Sequence, residues 1–127
     1  MTSKSNQVEC TIPVLPVSDL NRAIAFYTEQ LGFALDWRSD RIGSVSRDGC
    51  HIMLSASDNA AAGVCFWMGL ESETLFEEYR RRGVAVLQEP RNFSWAYEMK
   101  FADLDGNVLW LGTESRSDLP VADTRPN

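Results

Sequence analysis

Apolar and polar positions alternate with two distinct periods along this chain. In "SDLNRAIAFYTEQLGF", Leu20, Ile24, Tyr27 and Leu31 recur at helical spacing, Ser18 or Asp19 can cap the start, and Gly32 stops the run. In "ESETLFEEYRRRGV", Leu75, Phe76 and Tyr79 form the apolar face, with acidic residues at the start and Arg80 to Arg82 before Gly83, as a helix dipole favours. Short β-type segments surround both helices. "CTIPVLPV" precedes the first, and "FALDW", "IGSVS" and "CHIMLS" follow it; "AGVCFWMG" precedes the second, and "VAVLQ", "AYEMKFA" and "NVLWLG" follow. Each half reads β-α-β-β-β, so the expected class is α+β.

The two halves are copies of one unit. A shift of 51 residues lays Gly32 on Gly83 and "GFAL" on "GVAV", and a shift of 57 lays "DGCHIML" on "DGNVLWL". The difference of six residues is most simply placed in the loop "EPRNFSWA". Residues 1–114 form one domain, with module one at about 9–56 and module two at about 62–114. "ASDNAAA" links them, and residues 115–127 are expected to be a flexible tail.

With 127 residues the chain suits a single domain. It has no run of 18 apolar residues. "MTSKSNQVEC" lacks the apolar stretch of a secretion signal, so the expected location is cytoplasmic, without membrane contact. A net charge of −6 disfavours nucleic acid and would attract a cationic ligand. Cys10, Cys50 and Cys65 are widely spaced, without a CxxC pair, and are expected to be reduced packing residues.

The repeat, "PVSDLNRAIAFYTEQLGF" and "DLDGNVLWL" together resemble the vicinal oxygen chelate superfamily, over about residues 9–114. That superfamily includes glyoxalase I, extradiol dioxygenases, fosfomycin resistance enzymes and bleomycin resistance proteins. The resemblance implies two βαβββ modules with sheets curled into half-barrels and helices outside. In the metal-dependent members, ligands come from the first and last strand of each module. The corresponding positions here are Ile12, Met53, Gly63 and Trp110. Among them only Met53 has a donor atom, a soft thioether, so neither metal nor other cofactor is expected.

Strand parity sorts the remaining candidates. Gly63, Cys65 and Trp67 share one face of their strand, as do Val108, Trp110 and Gly112, and His51, Met53 and Ser55. Tyr97, Met99 and Phe101 form an apolar row, with Glu98 and Lys100 opposite; Trp95 lies in the loop before that strand, and Trp37 ends the second strand. Trp67, Trp110, Trp95, Met53, Cys65, His51, Glu98 and Trp37 are the candidate ligand-binding residues. Indoles, a thioether and small residues suit stacking on a flat aromatic or cationic ligand. The same indoles also suit a filled core. His51 could be a general base beside Glu98, or a hydrogen-bonding pocket residue. Glu98 and Lys100 could form a structural ion pair or anchor a ligand. Cys65 is expected to be buried.

The missing ligand set, the acidic balance and the proline in "IPVL" look closest to the metal-free bleomycin resistance-like branch. That resemblance implies a homodimer, without catalytic residues, sequestering a small molecule such as a bleomycin-type antibiotic. The alternatives are a metal-dependent lyase, isomerase or dioxygenase using His51, Glu98 or Asp36, and a scaffold domain with no ligand.

Overall fold

The computed structural model describes residues 7–60 and 63–122. The last two residues of the linker, where module two was expected to begin, and the last five of the tail lie outside them. Strand β1 (Val14–Val17) leads to helix α1 (Leu20–Ala25), then to β2 (Ala34–Arg38), β3 (Ile42–Arg47) and β4 (Cys50–Ala56). The second module repeats the plan with β5 (Cys65–Gly69), α2 (Thr74–Arg81), β6 (Ala85–Asn92), β7 (Tyr97–Ala102) and β8 (Val108–Thr113). Each module forms an open four-stranded sheet, ordered β1-β4-β3-β2 and β5-β8-β7-β6. In both, the outer pair β1–β4 or β5–β8 is parallel and the other pairs are antiparallel. The α+β class and the two βαβββ modules are as the repeat predicts.

Asp19 starts α1 by accepting a hydrogen bond from the Arg22 amide at 3.0 Å. The helix then departs from the simple spacing. Residues Phe26–Gln30 widen into a π-helical turn, in which the Leu31 amide reaches the Phe26 carbonyl at 3.2 Å. Within it the Thr28 hydroxyl donates to the Ile24 carbonyl at 2.8 Å, a side-chain competitor for the backbone ladder. The wider turn still buries Tyr27 and Leu31, and the chain leaves it through Gly32 at φ +78°.

Two strand boundaries differ from the sequence pattern. The first strand begins only at Val14, because Pro13 before it has no amide to donate to a ladder. Much of the expected loop "EPRNFSWA" instead continues β6 to Asn92. The extra residues are absorbed by irregularities between Val86 and Gln88 and between Gln88 and Arg91, leaving a short turn closed by Phe93 and Ala96.

The core is continuous across the modules. Leu15, Tyr27, Val45 and Leu54 of the first belong to one buried cluster with Phe76, Tyr79, Phe101 and Leu111 of the second. Polar bonds bracket it. Tyr27 Oη donates to Asp103 Oδ2 at 2.9 Å, and Tyr79 Oη donates to the Leu31 carbonyl at 2.7 Å. Burial, with the Asp103 charge adding to it, raises the Tyr27 hydroxyl well above its usual pKa; burial pushes Tyr79 up to about 12.

The β7–β8 turn does more than reverse the chain. Asp103 accepts the amides of Asp105 and Asn107 at 2.8 Å each, and the Asn107 side-chain amide at 2.9 Å. The buried Asn107 also donates to the Pro16 carbonyl at 3.0 Å and accepts from the Val64 amide at 2.7 Å. One side chain thus joins both first strands of the repeat.

Over residues 115–122 the expected tail makes hydrogen bonds to the end of β6. Asn92 donates to the carbonyls of Arg116, at 2.9 Å, and Leu119, at 3.2 Å, and accepts the Arg116 amide at 2.8 Å. Arg116 pairs with Glu73 at 2.9 Å and with Asp118 at 2.7 Å. A polar side chain at the end of β6 supplies what hydrophobic periodicity does not. Among the described residues no helix is long and apolar enough to cross a membrane.

Candidate functional site

Each sheet turns one face to the core and leaves the other open. On the second sheet the register sets the open face in rows of four. Ala85, Ala102, Val108 and Cys65 make one row; Gln88, Lys100, Trp110 and Trp67 the next; Arg91, Glu98, Gly112 and Gly69 the third. Trp67 and Trp110 meet edge to face, with ring centroids 5.3 Å apart. Small residues make room for the first indole. A Cβ added at Gly112 would lie 2.0 Å from Trp67 Cη2, and one at Gly69 would lie 3.3 Å from its Nε1. The Trp67 ring therefore lies in a slot over two glycines while 48% of the residue stays exposed.

Glu98 and Lys100 do not pair. Glu98 is 2% exposed and accepts a hydrogen bond from Trp95 Nε1 at 2.8 Å, whereas the Lys100 ammonium rests 4.8 Å from the centre of the Trp110 ring. Two residues apart on one strand, the side chains stand about 7 Å apart, and each has a nearer partner. Trp95 itself stacks on Phe93 at 4.6 Å.

The first sheet places Trp37, Ser44, Met53 and Val14 in one row and Ala34, Ser46 and His51 in the next. Asp36, at the irregularity between Leu35 and Trp37, accepts from Ser46 Oγ at 2.7 Å and Ser44 Oγ at 3.1 Å, and lies 3.1 Å from His51 Nδ1. The Ser46 hydroxyl above all, then Ser44 and His51, holds the Asp36 carboxyl below the usual range. His51 is thus oriented by Asp36 and not by Glu98, which stands on the other sheet.

The eight sequence candidates therefore divide. Trp67, Trp110, Trp95, Glu98 and Cys65 belong to the second sheet, and Trp37, Met53 and His51 to the first. A cavity of about 410 Å³ between the modules is lined from both, by His51, Cys50 and Ile12 on one side and Trp67, Met68 and Leu75 on the other. The cysteines correct their expectation. Cys10, Cys50 and Cys65 are all free and exposed, Cys65 because it sits on the open face of edge strand β5. Parity set Gly112 on one face with Trp110 but missed Gln88, because the irregularities of β6 break the alternation before it.

The four positions that the resemblance links to metal ligands, Ile12, Met53, Gly63 and Trp110, do not carry side chains suited to a metal. Ile12 and Trp110 offer no metal-binding donor, and Met53 offers one soft thioether. At Gly63 an added Cβ would stand 2.6 Å from the Gly106 carbonyl oxygen, so no side chain could reach inward. Among the described residues no three His, Cys, Asp or Glu side chains are grouped to hold a metal.

Comparisons agree with this architecture. No curated protein sequence matches the chain. The bleomycin resistance determinant encoded on transposon Tn5 superposes with a TM-score of 0.75 at 21% identity, over 84% of this chain and 98% of that one. The bleomycin-binding protein of bleomycin-producing Streptomyces verticillus, complexed with copper(II)-bleomycin, gives 0.70 at 20%, over 88% and 100%. TioX from Micromonospora sp. ML1 gives 0.74 at 15%, over 82% and 97%. At these identities the likeness is one of fold. The model of the glyoxalase/bleomycin resistance protein/dioxygenase superfamily matches residues 6–111, and the chain belongs to that superfamily.

Proposed function

We propose that this protein is a metal-independent binding protein that sequesters a flat aromatic small molecule against the open faces of its sheets. The observation that carries the reading is the Trp67–Trp110 pair, held edge to face over Gly112, with Trp110 at a position that the family resemblance links to a metal ligand. A half-exposed indole in a glycine slot offers a stacking surface at small reorganisation cost. Trp37, Leu35 and Leu87 are also exposed and apolar. A homodimer in the cytoplasm, in which a second copy covers part of these faces, completes the proposal.

Titration of tryptophan fluorescence with bleomycin and with plain polycyclic aromatics tests it. Saturable change that survives dialysis against EDTA and is lost in Trp67→Ala and Trp110→Ala is expected. No saturable change with any of them at high micromolar concentration would refute it. Light scattering should give twice the 14.3 kDa of the chain, and a monomer would remove the dimer from the proposal.

A further inference from the structure

The middle row of the second sheet holds more than indoles. Gln88, Lys100 and Trp110 stand side by side on three adjacent strands, and each ends in a hydrogen-bond donor. Gln88 Nε2 and Trp110 Nε1 are buried with no hydrogen-bond partner. Among the described residues Lys100 has no carboxylate partner; its ammonium rests on the Trp110 ring. Folded proteins leave few buried donors unpaired, and two in one row beside an ammonium held only by a ring face is a concentration of unmet demand for an acceptor.

We propose that this row anchors an oxyanion of the ligand, so that the molecule bound here is an aromatic carboxylate or its close equivalent. Its ring lies against Trp67 and its oxygens face Gln88, Lys100 and Trp110. The inference rests on the aromatic-binding reading above and narrows its ligand class. The face's own carboxylate does not compete, since Glu98 accepts from Trp95 and stands opposite Arg91 in register. The chain's net charge of −6 pulls the other way, toward cations. That field is screened beyond roughly 8 Å at physiological ionic strength, whereas the donors act at contact distance. Entry requires the flexible Lys100 stem to leave the indole face, and the oxyanion gives its ammonium a stronger partner than the ring.

Calorimetric titration of the full chain with 2-naphthoate and with 2-naphthamidine, planar isosteres of opposite charge, tests the proposal. Naphthoate should bind at least about tenfold more tightly. Lys100→Met and Gln88→Leu, their fold checked by near-ultraviolet circular dichroism, should each weaken naphthoate about five- to tenfold without weakening the amidine, which Lys100→Met should bind at least as tightly. Equal or tighter amidine binding overturns the oxyanion assignment and leaves the aromatic reading standing. A naphthoate preference that survives both substitutions overturns the anchoring role of this row. No binding of either probe up to about 5 mM, a weak limit for so small a ligand, refutes the aromatic reading together with it.

Discussion

Replacing Gly112 by alanine isolates the indole slot from the rest of the fold. The new methyl would stand 2.0 Å from Trp67 Cη2, far inside contact distance, so ring and methyl cannot coexist. The backbone at Gly112 is ordinary strand, and the half-exposed Trp67 can swing outward. Losing the edge-to-face pair costs about 0.5–1.5 kcal/mol. Exchanging glycine for alanine in a strand returns about 0.5–1 kcal/mol. The two nearly cancel, so the melting temperature should move by less than about 4 °C. The indole bands of the near-ultraviolet circular dichroism spectrum should change strongly, because the Trp67–Trp110 coupling is gone. A melting temperature lowered by more than about 10 °C would mean that the ring is locked in place. An unchanged indole spectrum would mean that it never occupied the slot. Either result refutes the reasoning.

Two further outcomes follow from the core bracket. Asn107→Ala removes three hydrogen bonds, one buried and two part-buried, and takes them from the Val64 amide and the Pro16 carbonyl; urea denaturation should show a loss of about 3 kcal/mol, and a loss below about 1 kcal/mol would refute the bracket. Tyr79 is raised from 10.0 to about 12 in the folded state, so its contribution is complete below about pH 10 and is lost as pH climbs to 12. That amounts to roughly 3 kcal/mol for a shift of about two units. Denaturation at stepped pH should show Tyr79→Phe falling less steeply over this window than the parent chain, and identical slopes would refute it.

Periodicity and the internal repeat carried the sequence reading to both modules, to a cap at Ser18 or Asp19, and to matched strand faces for Trp67 and Trp110. What they could not carry depends on register and on polar partners. Trp95 and Asp36 lie three and fifteen residues from the groups they engage, and nothing in the chain ranks them above Lys100 or Glu98 as partners. Only the strand irregularities decide which side chains become neighbours. The same limit explains Cys65, whose exposure follows from its place on edge strand β5, which composition does not reveal. It explains the tail too, since one asparagine at the end of β6 outweighs the lack of an apolar pattern after Ser115.

The exchange of tyrosine hydroxyls between modules also bears on how the chain can be divided. Tyr27 of the first half finds its acceptor on Asp103, and Tyr79 of the second finds its own on Leu31. A fragment holding one half would carry a donor without its acceptor and its share of a common core without the rest. The halves are thus repeats in sequence and complements in energy. Cleaved between the modules, this chain would yield two fragments that fold only on meeting, the behaviour wanted of a split reporter, and native hydrogen exchange would register a single opening for both.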